Sequence, residues 1–139
     1  MRDIFSLTYD PITTAAIASD PALDPVVDSI ATGLYRLRDA APDAPDFAVV
    51  NVVHLRAPSL EGDWFRSWRE TYDEGACGQA GGVIRRAETP VGALTVHVGS
   101  CEGGAFTYHA RLNEGNVILS MTSVGPARIG RAVAERLGR

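Results

Sequence analysis

Between Ala93 and Leu112 apolar residues fall on every second position, and this period of two constrains the fold more than any other feature of the chain. Leu94, Val96 and Val98 alternate with Thr95, His97 and Gly99, and Phe106, Tyr108, Ala110 and Leu112 alternate with Thr107, His109 and Arg111. A strand turns successive side chains to opposite faces, so each run reads as a strand with one apolar and one polar face. Gly82–Glu88 and Val117–Val124 read as strands on either side, with Thr89-Pro90-Val91-Gly92 and Glu114-Gly115-Asn116 as turns. Consecutive strands joined by short turns form an antiparallel meander. Centring the middle hairpin on Gly103 sets His97 opposite His109, Val98 opposite Tyr108 and Thr95 opposite Arg111. A slip of one residue would put Val98 opposite His109 and mix the two faces.

A half-apolar sheet needs a cover, and the remaining segments supply helical patterns. Asp-Pro pairs, with Asp as cap and Pro in the first turn, predict helices over Pro11–Ala18 and Pro25–Arg38, the second with Val27, Ile30, Leu34 and Leu37 on one face. Phe47–Leu55 is rich in β-branched residues and apolar on both sides until His54, which predicts a buried strand. Ser59 caps a helix from Leu60 to about Glu74. Leu60, Trp64, Phe65, Trp68 and Tyr72 share one side of it, Arg66, Arg69, Glu70 and Asp73 the other, and Gly75 stops it. Pro126 opens a last helix with Ile129, Val133 and Leu137 inward and Gly138 at its end. The expectation is a single α+β domain over residues 1–139, an antiparallel meander of about five strands with helices packed on it and a C-terminal helix. The element order is similar to the cone-shaped family that includes nuclear transport factor 2 and many small-molecule enzymes. The final helix points instead to an open sheet with helices on both sides or at one edge.

Composition narrows the partners. The formal net charge is −4, which argues against a nucleic-acid backbone as ligand. No apolar run approaches the roughly 18 residues of a membrane-spanning helix. All 13 basic side chains are Arg, a bias that GC-rich codons produce and that suggests a bacterial source. The first residues, Met1 to Leu7, hold no signal-peptide core, so the literal reading is cytoplasmic and the alternative is that an export segment has been removed.

Two cysteines, Cys77 and Cys101, sit in Gly-rich surroundings, one past the aromatic helix and one at the tip of a hairpin. An even count with no third thiol fits a disulfide and an oxidising compartment. No metal is expected: His97 and His109 face one another, but CxxC, HExxH and acidic ligands at helical spacing are absent. A nucleophilic Cys77 lacks the helix N-terminal position that would activate it. GxGxxG, a P-loop and GxSxG are absent too, so no cofactor is expected. The aromatic stripe reads as core, or as the wall of a pocket in which Trp64 and Trp68 meet Thr95, His97, His109 and Arg111, the last able to bind an anion.

Tyr72-Asp73-Glu74-Gly75-Ala76-Cys77, then Val96-His97-Val98-Gly99-Ser100-Cys101, then Thr107-Tyr108-His109-Ala110-Arg111-Leu112 resemble segments of exported domains and lipoproteins of high-GC bacteria that have no assigned role. The resemblance implies an extracytoplasmic module, secreted or membrane-anchored, and nothing about catalysis. The expected function is a disulfide-bridged binding or interaction module for a small molecule or protein, leaning away from an enzyme. The alternative is a small-molecule enzyme or ligand-binding protein of the cone-shaped type with a His/Arg-lined pocket.

Overall fold

The computed structural model describes residues 8–9, 27–36, 46–56, 62–78, 81–92, 94–112, 116–125 and 129–137. Within these, seven strands form one antiparallel sheet: β1 (Thr8–Tyr9), β2 (Val27–Tyr35), β3 (Phe47–Leu55), β4 (Val83–Val91), β5 (Leu94–Cys101), β6 (Phe106–Leu112) and β7 (Val117–Val124), in the spatial order β1-β2-β3-β7-β6-β5-β4. Two helices accompany it, α1 (Gly62–Cys77) and α2 (Ile129–Leu137). The fold is α+β and mostly sheet, as the periodicity indicated.

The expected meander is present as β4 to β7, and β3 joins it beside β7. The hairpin register is the one the apolar faces demand, with His97 opposite His109 and Val98 opposite Tyr108. The hairpin closes through Cys101 N–H donating to Ala105 O at 2.8 Å and Gly104 N–H donating to Cys101 O at 3.0 Å.

Three expectations need correction. The segment expected as a helix over Pro25–Arg38 is strand β2, paired with β3 from Val27 opposite Leu55 to Tyr35 opposite Ala48. Its apolar residues fit helical spacing, but pairing with a buried strand satisfies every second backbone group, and tertiary context overrides the weak local pattern. The element order behind the likeness to the nuclear transport factor 2 family is therefore not that of this chain. The expected turn at Thr89–Gly92 is the end of β4: Pro90 lies opposite Thr95 within the ladder. Proline is tolerated there because β4 is an edge strand, where its missing N–H is not needed. Finally, α1 does not stop at Gly75 but runs to Cys77, where the Cys77 carbonyl accepts Gly82 N–H at 2.9 Å. The helix expected over Pro11–Ala18 lies outside the described residues, as do Leu60, Pro126 and the side chain of Leu137.

The helices lie on opposite faces of the sheet. On one, Ile129, Val133 and Ala134 of α2 pack on Ala48, Val50, Val96, Tyr108, Ala110, Leu119 and Met121, a continuous apolar core. Gly130 allows the close approach, since a Cβ there would come within 2.6 Å of the Ser123 Cβ and 2.7 Å of the Tyr108 ring. The Gly130 amide, one of the orphan donors of a helix start, bonds the Ser123 hydroxyl at 3.0 Å. On the other face, Phe65 and Trp68 of α1 pack on Val53, Leu55 and Ile118, with Tyr72 half-buried alongside. This second apolar cluster covers only part of α1; the rest of the helix meets polar side chains.

Candidate functional site

The polar side chains that alternate with the apolar core converge under α1. Asn51 of β3, Thr107 and His109 of β6 and Ser120 of β7 are all at most 1 % exposed, and Asp73 of α1 is 2 % exposed. Burying so many polar groups is costly unless each finds a partner. Here they form a chain. Trp68 Nε1–H donates to Ser120 Oγ at 2.9 Å. Ser120 Oγ lies 2.7 Å from His109 Nδ1, and His109 Nε2 lies 2.7 Å from Asp73 Oδ1. One proton arrangement satisfies all four groups. Ser120 accepts from the indole and donates to an unprotonated Nδ1, and the Nε2–H donates to the carboxylate. Burial pushes the His109 pKa down, and this outweighs the raising effect of Asp73. In this arrangement the ring is neutral, in keeping with that direction. Burial acts to raise the Asp73 carboxyl, but the hydrogen bond from His109, the nearby Thr107 hydroxyl and the charge of Arg86 bring it below the usual carboxylate value.

Neighbouring groups complete the layer. Asn51 Nδ2 donates to the Tyr72 phenol at 3.2 Å, and that oxygen lies 3.0 Å from Thr122 Oγ1. Burial raises the Tyr72 pKa, so the phenol stays neutral. The Tyr72 ring stands edge-on to His109, with ring centroids 4.9 Å apart. Gly99 makes room for the carboxylate: a Cβ there would meet Thr107 Oγ1 at 2.5 Å and Asp73 Oδ2 at 2.8 Å. Thr107 Oγ1 is the buried side-chain oxygen left without a well-formed hydrogen bond among the described residues.

Beside this layer a cleft of about 230 Å³ opens between α1 and β4–β5, lined among others by Arg66, Arg69, Arg86, Glu88, His97 and the edge of the Asp73–His109 pair. Arg86 Nε lies 3.7 Å from Asp73 Oδ2, and His97 Nδ1 lies 3.5 Å from Glu88 Oε1. Two guanidinium groups sit over the Phe65 ring, Arg69 at 4.5 Å and Arg111 at 4.9 Å from its centroid. His97 meets the same ring edge-on at 5.5 Å. Burial, with Arg69 adding to it, lowers the His97 pKa despite Glu88.

The structure joins the two cysteines and brings His97 and His109 to one cleft, but not the other residues the sequence singled out as a pocket. Cys77 and Cys101 form the disulfide, with a Cα–Cα distance of 5.2 Å, tying the last residue of α1 to the end of β5. His97, His109 and Arg111 share the α1 face of the sheet, but only His97 and His109 line the cleft, and Thr95 on the same face is exposed. Trp68 is buried and committed to Ser120. Trp64 lies in the first turn of α1, and its side chain is outside the described part of the molecule. Asp73, expected on the outer side of the helix, is buried against the sheet because His109 offers it a donor. Asp73, Ser120, Asn51 and Arg69 were not singled out as site residues. Only the isolated His109 between apolar neighbours signalled that a buried partner had to exist. Among the described residues no group of three or more His, Cys, Asp or Glu is arranged to hold a metal ion. No helix among them is long and apolar enough to cross a membrane.

No family model, curated protein or solved structure matches the chain.

Proposed function

We propose that this protein is an extracytoplasmic, disulfide-bridged binding module that holds a small anionic ligand in the cleft between α1 and β4–β5 and does not transform it. The observation that carries the reading is the Arg69 guanidinium held over Phe65 at the wall of the cleft, with His97 against the same ring. Stacking on Phe65 holds the Arg69 guanidinium in place, and Arg offers the planar fork that a carboxylate or phosphate matches. Arg86 and Glu88 already face Asp73 and His97, which leaves Arg69 as the cleft's main binding group. An exported location is supported by the Cys77–Cys101 bridge, since such bonds persist where thiols are not kept reduced.

The rival reading is an acyl-transfer enzyme built on Ser120, His109 and Asp73, which do stand in line. Three facts weigh against it. Ser120 is fully buried, its oxygen already takes the Trp68 indole proton, and both nitrogens of His109 are occupied. A nucleophile must reach its substrate, and this one faces the inside of α1.

The test is titration calorimetry with succinate and with inorganic phosphate. Binding by the native protein, weakened roughly tenfold by Arg69→Gln, supports the proposal. Native affinity in Arg69→Gln, or no binding of either anion, contradicts it. Labelling of Ser120 by a fluorophosphonate would establish the enzyme reading instead. For location, alkylation of the unreduced protein taken directly from its host should find no free thiol; two free thiols would remove the support for export.

A further inference from the structure

The opposite face carries a second opening that the proposal above does not use. Helix α2 lies over β3, β7 and β6, and the α2 face of β4 and β5 extends beyond it. A groove of about 290 Å³ remains there, floored by Val91, Val98, Phe106 and Tyr108 and walled by Ala134 of α2. Arg85, Arg131 and Ser100 also line it. Arg131 pairs with Glu135 at 3.2 Å. Arg85 is exposed and has no ion-pair partner among the described residues.

We infer that this groove is a binding site for a small amphipathic carboxylate, its hydrocarbon part against the valine and aromatic floor and its carboxylate at Arg85. The chemistry follows from the lining. The size is at the lower end of small-molecule pockets, the floor is apolar, and the one uncommitted charge at its edge is a cation. A neutral lipid leaves Arg85 unused, and a fully polar anion leaves the floor wet. An extended peptide added to β4 fits less well. The strand edge is bulged between Val83 and Arg85, carries Pro90 and presents charged side chains, the features by which sheets discourage added strands.

The experiment is calorimetry with decanoate, using decanol and acetate as controls for the two halves of the ligand. Decanoate binds, decanol and acetate bind at least tenfold more weakly, and Arg85→Gln costs decanoate roughly tenfold, the measure of one charge-assisted contact. Thr89→Trp, a half-buried groove position that does not line the other cleft, blocks decanoate by filling the space. Arg69→Gln leaves decanoate binding unchanged, which separates this site from the cleft under α1. The inference is overturned if Arg85→Gln and Thr89→Trp bind decanoate as the native protein does, if decanol binds as tightly as decanoate, or if Arg69→Gln is the change that abolishes binding. Circular dichroism of each variant shows whether a loss is a loss of fold; a folded Arg85→Gln protein at native affinity is decisive against the site.

Discussion

The two faces of the sheet are covered by helices in opposite ways. Under α2 the buried layer is apolar save for Ser123, and the helix is held by shape. Under α1 a smaller apolar cluster adjoins Asn51, Asp73, Thr107, His109 and Ser120, and the helix is held by named hydrogen bonds and a covalent bridge. The difference teaches where identity matters. A packed apolar layer tolerates swaps that conserve volume, usually at under about 1.5 kcal/mol. A buried polar chain does not, because removing one member strands the others without water. The α2 face therefore specifies the fold by volume, and the α1 face fixes the position of its helix by named contacts.

The largest effect expected from disturbing this contrast is at Trp68, which belongs to both kinds of packing. Trp68→Ala removes a buried ring and the donor to Ser120, and should cost about 3–5 kcal/mol in denaturant unfolding. A near-neutral result would mean that α1 is not held by its inner face. Next comes the bridge. Cys77→Ser and Cys101→Ser should each cost about 3 kcal/mol on the chain-entropy view, and the double variant should cost no more than either single one. Additive, small losses would show that the staple is not formed in solution.

The sharpest comparison uses two neighbours on β7 that point to opposite faces. Ser120→Ala, a change of one oxygen, should cost about 1–3 kcal/mol by leaving both the indole and His109 Nδ1 unpaired. Met121→Leu, on the apolar side, should cost under about 1.5 kcal/mol. Equal costs, or the reverse order, would erase the distinction between the faces.

The smallest effect is in the pH dependence. Burial lowers His109 and His97 below their ordinary 6.5. Below that value the unfolded chain takes up protons that the folded one does not, so stability is complete above about pH 6.5 and declines as pH falls through the lowered folded values. Asp73, also lowered, adds a second loss as pH falls below its ordinary 3.8. Replacing His109 by Gln should flatten the first decline to the part that His97 contributes. An unchanged slope in that variant would locate the titration elsewhere.

How much of this was written in the sequence depends on which force places each element. β5 and β6 were legible because each has one apolar and one polar side, so the period of two survives, and the same alternation fixed His97 opposite His109. Phe47–Leu55 was legible from its β-branched residues and its apolar character on both sides until His54. Strand β2 was not, because Val27, Ile30 and Leu34 fit a helical face, and what decides against the helix is a partner strand distant in sequence. Pro90 read as a turn because its place at an open sheet edge is a property of the whole fold. The cysteine pair followed from counting, but the chain from Trp68 to Asp73 did not. Asp73 sits at the margin of the aromatic stripe, where helical spacing assigns it to either side, and only the His109 side chain turns it inward.

The account rests most heavily on His109 being a neutral ring with its proton on Nε2, locked between a serine and a carboxylate. Nitrogen-15 spectra of the labelled ring at pH 7 test this directly. The expected result is a protonated Nε2 coupled to a slowly exchanging hydrogen, an unprotonated Nδ1, and a ring that gains its second proton only below the ordinary 6.5. An imidazolium at pH 7, or a proton on Nδ1, would contradict the closed chain and reopen the site to catalysis.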